Sequence, residues 1–567
     1  MRSFSIICRA CGAQRPFTQP LAACPECGGG WLDAVYEYGR YHHTQGEDTH
    51  RWPLALNQYG ASLWRYRDLL PLLHDQNIVT FGEGRTPLLR AHNLGLMLGH
   101  PHIYIKDERQ GPTGSFKDRQ AAIAISALKE AGITEAVVAS TGNVAIAYSA
   151  YCARAGIKLW VFVPSSVPVE KMREMSLYGS EVIKVTGTYD QTKEIAAQFA
   201  ASKNIFLDRG IKGIAAKEAM KTLAFEVAEQ LGAMIAGKDP LLLNGSDHPW
   251  RAPDWYVQAV SGGLGPVGVM KGFAELHKLG LIDTMPKLAN VQPSGCAPMV
   301  HAFREGCGTA VNVDDPMTDI ITLATGKPGE AYEVLYELTK RHGGTFEAVT
   351  DTEAFQALRV LAEMDGISVE PATAVAFAGL FKLIRQGEIQ PHEIVVINCS
   401  GHTFPVEKQI VGEHFTRDMN VTEEASRHGR SEGLLTALEE LDSRVQRIAI
   451  IEDNADSARL IRRILQAQGE FLIDEAHDGK TGLALIQQTL PNLVILDLMM
   501  PEMDGFDIVE IMKHDRNLSH IPIIVITAKE LTAVERERLN GKIKGLLQKG
   551  TFMDSDLLND IWQALPA

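Results

Sequence analysis

One lysine of the chain lies in a sequence that restricts its position. Lys117 closes the run Gly111-Pro112-Thr113-Gly114-Ser115-Phe116-Lys117, a tight turn of glycine, proline and small polar residues ahead of a helix-forming segment. An amine held at the mouth of a pocket and partly removed from water can lose its proton near neutral pH and condense with an aldehyde. The alternative is an exposed lysine that only opens a helix. Lys117 is therefore a candidate for covalent chemistry with a carbonyl group.

Three further segments place small polar residues or glycines directly after a strand-like run. Such strand ends present backbone N–H groups that can bind a phosphate or another part of a cofactor. Each alone is common in α/β proteins, where a structural turn is the simpler interpretation, but their joint order is specific. The segments are Ser140-Thr141-Gly142-Asn143 after residues 136–139, Ser261-Gly262-Gly263-Leu264-Gly265 after 255–260, and Ser400-Gly401-His402 after 394–399.

In this order the segments resemble the fold type II pyridoxal phosphate enzymes, and the threonine synthases most closely. The resemblance covers about residues 50–410 and includes Gly82-Glu83-Gly84-Arg85-Thr86-Pro87-Leu88, Lys221-Thr222 and Gly366-Ile367-Ser368-Val369-Glu370-Pro371-Ala372. It implies an α/β domain of two subdomains with pyridoxal 5′-phosphate attached to Lys117 as a Schiff base. We also expect a homo-oligomer, most simply a dimer.

The same resemblance implies roles for the other segments and an activity. Asn143 would hydrogen-bond the 3′ oxygen of the cofactor, and the Ser400 hydroxyl would face its ring nitrogen, which favours elimination and replacement over transamination. The activity would be conversion of O-phosphohomoserine and water to threonine and phosphate. The cofactor phosphate would be held by Ser261, Gly262, Gly263, Leu264 and Gly265.

The segment that should bind the substrate phosphate departs from the family pattern. An Asn-Pro-x-Arg run usually precedes Lys221, but residues 214–220 here read Ile-Ala-Ala-Lys-Glu-Ala-Met. Because fewer cations bind an anion less well, we expect O-phosphohomoserine to turn over poorly unless Lys217, or a residue of the insertion 236–251, replaces the missing charge. Two alternatives stay open: elimination or replacement on a different amino acid, and a phosphorelay signalling module whose cofactor fold is a sensor or scaffold. An intact Lys117 favours an enzyme.

Four cysteines near the N-terminus have the spacing of metal ligands. Cys8 and Cys11 form one pair and Cys24 and Cys27 a second, each with two residues between. Two such pairs in a segment too small for its own core favour Zn²⁺ bound by four thiolates over redox dithiols or a disulfide. Many threonine synthases carry a similar zinc ribbon. A ribbon is predicted over residues 1–40, with a role in folding because four ligands close the site.

The C-terminal part alternates β-branched runs with helical patterns, which predicts a doubly wound parallel sheet. Glu452, Asp453 and Asp497 follow adjacent strands. Three carboxylates at one sheet edge need a cation, so we expect Mg²⁺. Thr527 and Lys549 add a hydroxyl and an ammonium group at the same edge.

Residues 446–567 resemble the flavodoxin-like receiver domain of bacterial response regulators. The resemblance implies that Asp497 is phosphorylated by a histidine kinase, that Met499 adds a Mg²⁺ ligand, and that Thr527 and Lys549 form the switch. The usual aromatic switch position on the fifth strand is Leu546. Residues 411–445 read as a linker with a docking helix whose apolar seam is Leu434, Leu438, Leu441 and Val445.

Composition excludes several classes of partner. The net charge of −15 and the absence of clustered Lys and Arg argue against nucleic acid and anionic membranes. No apolar run is long enough to span a membrane or to form a signal-peptide core. The other four cysteines, Cys152, Cys296, Cys307 and Cys399, are scattered as reduced thiols would be. We therefore expect a cytoplasmic protein. The resemblance to the threonine synthases implies an amino acid as its substrate.

Overall fold

The computed structural model describes residues 4–17, 23–37, 60–240, 249–402, 446–466, 471–529 and 531–548. The predicted linker with its apolar seam lies outside the described residues, and so does Lys549. Within the described ranges no helix is both long and apolar enough to cross a membrane. The described residues form four β-sheets with helices packed against them.

The N-terminal sheet is small and antiparallel, with strand order β2-β1-β3. Its strands are β1 (Ser5–Cys8), β2 (Gln14–Pro16) and β3 (Leu32–Val35). Its own core contains only Ile6, Cys8, Cys24 and Leu32 as fully buried members, too few to stabilise an independent domain. Trp31 and Tyr36 instead pack into the core of the central domain. The ribbon is therefore held to its neighbour by aromatic side chains.

The central part contains two sheets, which agrees with the predicted α/β fold of two subdomains. The larger has the order β12-β11-β10-β13-β5-β4 and is parallel except for its edge strand β4, and the smaller has the parallel order β8-β7-β6-β9. The larger sheet is built from β4 (Leu88–Arg90), β5 (Ile103–Asp107), β10 (Trp255–Ala259), β11 (Lys287–Pro293), β12 (Gly344–Val349) and β13 (Val395–Cys399). The smaller is built from β6 (Glu135–Ala139), β7 (Lys158–Pro164), β8 (Glu181–Val185) and β9 (Phe206–Leu207).

Helices cover both faces of these sheets, as parallel strands require. They are α1 (His92–Leu98), α2 (Lys117–Glu130), α3 (Asn143–Ala155), α4 (Val169–Leu177), α5 (Tyr189–Lys203), α6 (Ile214–Ile235), α7 (Leu264–Lys278), α8 (Pro298–Arg304), α9 (Glu330–His342), α10 (Asp351–Asp365) and α11 (Pro371–Arg385). Helix α6 is buried on every side from Ala216 to Ala233. Its charged residues are therefore all paired inside the protein, for example Glu226 with Lys106 and Arg119.

The C-terminal sheet is fully parallel with the order β15-β14-β16-β17-β18, which confirms the predicted doubly wound fold. Its strands are β14 (Gln446–Ile451), β15 (Phe471–Ala476), β16 (Leu493–Leu496), β17 (Ile523–Thr527) and β18 (Gly545–Gln548). Its helices are α12 (Ala455–Gln466), α13 (Gly479–Thr489), α14 (Gly505–His514) and α15 (Ala533–Leu539). Helix α12 also lies against α1 and α10 of the central domain.

Candidate active site and metal sites

A cavity of about 700 Å³ lies at the carboxyl ends of the strands of both central sheets. In α/β proteins this edge is where ligands bind, because loops and helix N-termini meet there. Every residue predicted to contact the cofactor lines the cavity. They are Lys117, Asn143, Ser261, Gly262, Gly263, Leu264, Gly265 and Ser400.

The turn that carries Lys117 is tied to the end of β13 by backbone hydrogen bonds. The Phe116 amide donates to the carbonyl of Ser400 at 2.9 Å, and the His402 amide donates to the carbonyl of Gly114 at 2.9 Å. Burial lowers the pKa of Lys117 to about 8, while the nearby Glu370 carboxylate acts in the opposite direction. The amine therefore keeps an appreciable neutral fraction near neutral pH, as attack on a carbonyl requires.

Glu370 connects the side chains of the site. Both of its carboxylate oxygens accept from the side-chain nitrogen of Asn143, at 3.0 and 2.8 Å, and one accepts from the Ser400 hydroxyl at 3.3 Å. The Ser400 hydroxyl also lies 2.7 Å from that of Thr373. Glu370 and Thr373 were missed from sequence as site residues. For Glu370 a signal was present, because it lies in the segment Gly366 to Ala372, which carried the family resemblance without an assigned role; Thr373 lies just beyond that segment.

The glycine loop after β10 fits a phosphate group. Gly263 has φ +83°, a conformation that favours glycine, and α7 begins at the next residue, so its N-terminal amides point into the cavity. At Gly262 an added Cβ would meet no other atom, which leaves open space above the main chain. The Ser261 hydroxyl lies 2.5 Å from that of Thr325, which also lines the cavity and was not predicted.

Lys217, one candidate to replace the missing phosphate ligand, does not line the cavity and cannot take that part. Its ammonium group is buried and donates to the carbonyls of Leu32 and Ile211, both at 3.0 Å. The described residues of the insertion 236–251 do not line the cavity either. The cavity wall carries four other cations instead. They are Lys193, Arg209, Lys212 and Lys327.

The four N-terminal cysteines come together as predicted for a metal site. Their sulfur atoms all lie within 4.8 Å of one another, with Cys8 and Cys27 separated by 3.6 Å and Cys11 and Cys24 by 3.7 Å. A tetrahedral ion with Zn–S bonds of about 2.3 Å would separate its ligand sulfurs by roughly 3.8 Å. The cysteines therefore fit zinc without rearrangement.

In the C-terminal domain, carboxylate oxygens of Glu452, Asp453 and Asp497 also lie within 4.8 Å of one another. The Met499 amide donates to Asp497 Oδ1 at 3.1 Å, which places the Met499 main chain beside the cluster. Thr527 is buried at the end of β17. This oxygen-rich group can hold Mg²⁺. Leu546, at the usual aromatic position, is 40% exposed.

Comparison with known proteins shows the family of the central part and of the C-terminal part. Residues 79–401 match the family described as pyridoxal-phosphate dependent enzyme, and residues 448–561 match the response regulator receiver domain. The threonine synthase of Methanocaldococcus jannaschii is 34% identical over 396 residues, which are 70% of this chain and 91% of that protein. The threonine synthase of Methanosarcina acetivorans is 31% identical over 400 residues, again 70% and 91%.

Among solved structures, the processed form of threonine deaminase isoform 2 from Solanum lycopersicum is similar, with a TM-score of 0.48 and 21% identity over 65% of this chain and 89% of that one. The family match covers more than half of the sequence and includes the lysine turn, the glycine loop and Ser400. The chain therefore belongs to the pyridoxal-phosphate dependent enzymes, with threonine synthases as relatives, and carries a response regulator receiver domain at its C-terminal end.

Proposed function

We propose that the protein is a threonine-synthase-like lyase that converts O-phosphohomoserine and water to threonine and phosphate, under the control of its receiver domain. The observation that carries the proposal is that one cavity is lined both by the glycine loop and by four cations that do not belong to it, Lys193, Arg209, Lys212 and Lys327. The loop accounts for the phosphate of the cofactor. The cations account for a second phosphate, which belongs to the substrate.

The residues of the cavity fit distinct tasks. The loop Ser261 to Gly265 and the N-terminus of α7 would hold the cofactor phosphate, and Asn143 and Ser400 would contact its ring. Bound pyridoxal phosphate supplies an electron sink for carbanion chemistry. The Lys117 amine, whose pKa is about 8, can accept and return a proton at the substrate carbons. Glu370 would keep the Asn143 amide in a fixed orientation.

Two of the four cations, Lys212 and Lys327, are suited to bind an anion because their charges are only partly neutralised. Lys212 lies 3.4 Å from Glu330 and Lys327 lies 3.6 Å from Asp314, and both lysine side chains are 40% or more exposed. Such half-exposed pairs are weak, so a phosphate dianion can compete for the lysines. Arg209 adds a planar donor group that suits phosphate.

A substrate survey tests the proposal. The cofactor-loaded protein is incubated with O-phosphohomoserine, O-phosphoserine, O-acetylhomoserine and homoserine, and threonine, phosphate and 2-oxo acids are measured. Threonine with one equivalent of phosphate from O-phosphohomoserine alone is expected. Turnover of only an unphosphorylated amino acid would support the alternative of another elimination or replacement. No turnover, with amino-acid binding retained, would support a sensor or scaffold.

The metal sites and the phosphodonor belong to the same proposal. Zinc bound by Cys8, Cys11, Cys24 and Cys27 would stabilise the ribbon, which requires the reduced thiols of a cytoplasmic protein. A histidine kinase would phosphorylate Asp497 while Mg²⁺ neutralises the carboxylates, and Thr527 and Lys549 would respond. The Mg²⁺ ligands would be Glu452, Asp453, Asp497 and the carbonyl of Met499. Assembly as a homodimer stays a prediction.

A contact between the domains supports control by the receiver. Helix α12 lies against α1 and α10. The Asp365 carboxylate, at the end of α10, accepts from the first amides of α1, which joins these two helices. Only four residues lie between Asp365 and Glu370, which lines the cavity. A shift of α12 on phosphorylation can therefore reach the active site through α10.

A further inference from the structure

The N-terminal ribbon forms part of the cavity wall. Trp31, the residue before β3, lines the cavity although it is only 4% exposed. The neighbouring residue Gly30 packs against the loop Arg209 to Lys212, which carries two of the cavity cations. A Cβ added at Gly30 would lie 3.2 Å from the Arg209 guanidinium and 3.7 Å from the Lys212 side chain. Proximity to the active site gives the ribbon a task beyond its own folding.

Lys217 joins the ribbon to this loop through one ammonium group. Two of its hydrogens go to main-chain carbonyls at 3.0 Å, one of Leu32 in the ribbon and one of Ile211 in the loop. The third direction is taken by Asp33, 3.4 Å away. The Trp31 ring covers the group at 4.5 Å, and the Trp31 indole donates to Asp33 at 3.0 Å. All hydrogen-bonding capacity of the lysine is therefore used.

The loop needs such support because its own structure is minimal. Residues Gly210–Lys212 form one 3₁₀ turn, and Gly210 has φ +56°. Among the described residues, the Gly210 amide donates to the Asp208 side chain and the Lys212 amide donates to the Arg209 carbonyl. A single turn of this kind has few bonds to resist displacement. The Ile211 side chain packs against the core of the central domain, and the Ile211 carbonyl accepts from Lys217 of the buried helix α6.

We propose that Lys217 is a positioning residue that couples the ribbon to the loop Arg209 to Lys212 and so sets the affinity of the cavity for the phosphate group of the substrate. This inference rests on the proposed function, because it takes the loop as the substrate phosphate site. The ribbon then contributes to specificity, since a loop that has moved would bind an anion less well while cofactor chemistry at Lys117 is unchanged.

The test compares Lys217→Met with Lys217→Arg in the zinc- and cofactor-loaded enzyme. The binding of inorganic phosphate is measured by calorimetry, and the binding of homoserine is measured by spectral titration. The constants kcat and KM are determined with O-phosphohomoserine as the substrate. For Lys217→Met we expect phosphate affinity to fall, and KM to rise, by about tenfold or more, with kcat, zinc content and homoserine affinity within about twofold. Lys217→Arg, which keeps several donors, should recover most of the loss.

Arg9→Ala is the matched control, because Arg9 bridges the ribbon to Glu337 at 2.8 Å without touching the loop. It should leave phosphate binding unchanged. If Lys217→Met does not fold, Asp33→Asn removes the outer partner of the same lysine and should weaken phosphate binding in the same direction by a smaller factor. Equal losses for phosphate and homoserine, or the same loss in Arg9→Ala, would overturn the inference.

The outcomes also separate the inference from the proposed function. If the wild type turns over O-phosphohomoserine but Lys217→Met binds phosphate normally, the positioning role is wrong and the enzyme assignment stands. If the wild type binds neither phosphate nor O-phosphohomoserine, both are wrong.

Discussion

The carboxylate of Glu370 accepts the side-chain nitrogen of Asn143 with both oxygens, at 3.0 and 2.8 Å. The Asn143 oxygen is thereby turned away from Glu370, and it accepts from Lys171 at 3.3 Å. The buried Glu370 carboxylate thus fixes the orientation of the Asn143 amide, whose nitrogen faces Glu370 and whose oxygen faces Lys171. This pair therefore sets the orientation of the Asn143 amide at the cavity.

Glu370→Gln should reduce turnover by roughly tenfold, since the amide loses its preferred orientation. The carboxylate also raises the pKa of Lys117, so its removal should move that pKa further down and allow the apoenzyme to take up pyridoxal phosphate at lower pH. The measurement is the pH profile of cofactor uptake. The control is Glu347→Gln, because Glu347 does not line the cavity. Identical pH profiles of cofactor uptake in both variants would contradict the effect of Glu370 on Lys117.

Lys117→Ala should abolish turnover, by about a thousandfold or more, while the fold is retained. The turn depends on other groups, because the Asp118 carboxylate accepts from the Thr113 amide at 3.0 Å and hydroxyl at 2.7 Å. The check is visible absorption after incubation with pyridoxal phosphate, together with the melting temperature. Lys129→Ala on the exposed face of the same helix should behave like the wild type. A visible band in Lys117→Ala would refute the role.

Arg209→Ala and Lys212→Ala should each raise KM for O-phosphohomoserine by about five- to twentyfold, because each removes one charge-assisted bond to phosphate. The value of kcat should change little, since binding is lost equally from the ground state and the transition state. Steady-state kinetics at two salt concentrations give the measurement. The control variant is Lys278→Ala, which removes a lysine at the far end of α7. A fall in kcat without a change in KM in Arg209→Ala or Lys212→Ala would argue against a phosphate site.

Removal of zinc should disorder the ribbon without releasing the cofactor, because none of the predicted cofactor contacts lies in the ribbon. One zinc per chain is expected by elemental analysis. Chelation should lower the melting temperature by about 5 °C or more, given that 1 kcal/mol corresponds to about 2–4 °C for domains of ordinary size. Cys307→Ser, an exposed cysteine outside the cluster, should retain the metal. Full zinc content in Cys11→Ser would count against the site.

Phosphorylation of Asp497 should change substrate affinity or turnover through α12 and α10. A coupling free energy of about 1–3 kcal/mol corresponds to a change of about five- to 150-fold. Affinity, kcat and oligomer size are compared with and without beryllium fluoride and Mg²⁺. The proteins compared are the wild type, Asp497→Asn and, as the control, Asp507→Asn at an exposed position of α14. If the mimic binds the wild type and all three quantities stay constant, the receiver does not regulate the enzyme.

Local sequence patterns predicted those site residues whose positions depend on the structure of their own short segment. Lys117, Asn143 and the glycine loop each sit where a strand or turn meets a helix, and such junctions are visible in a short window of sequence. Arg209 and Thr325 were not predicted, because only the packing of distant segments brings them to the cavity. Lys217 was misassigned for the same reason. Its nearness to Lys221 in sequence does not reveal that α6 is buried on all sides and turns position 217 to the ribbon.

The backbone bonds between the Lys117 turn and the end of β13 bear on how such enzymes diverge. The carbonyl of Ser400 and the carbonyl of Gly114 are the acceptors, so main-chain bonds hold the Lys117 turn beside the end of β13. Arg209 and Lys212 line the same cavity but take no part in these two bonds. Related chains can therefore change the charge of this cavity while the Lys117 turn keeps its place.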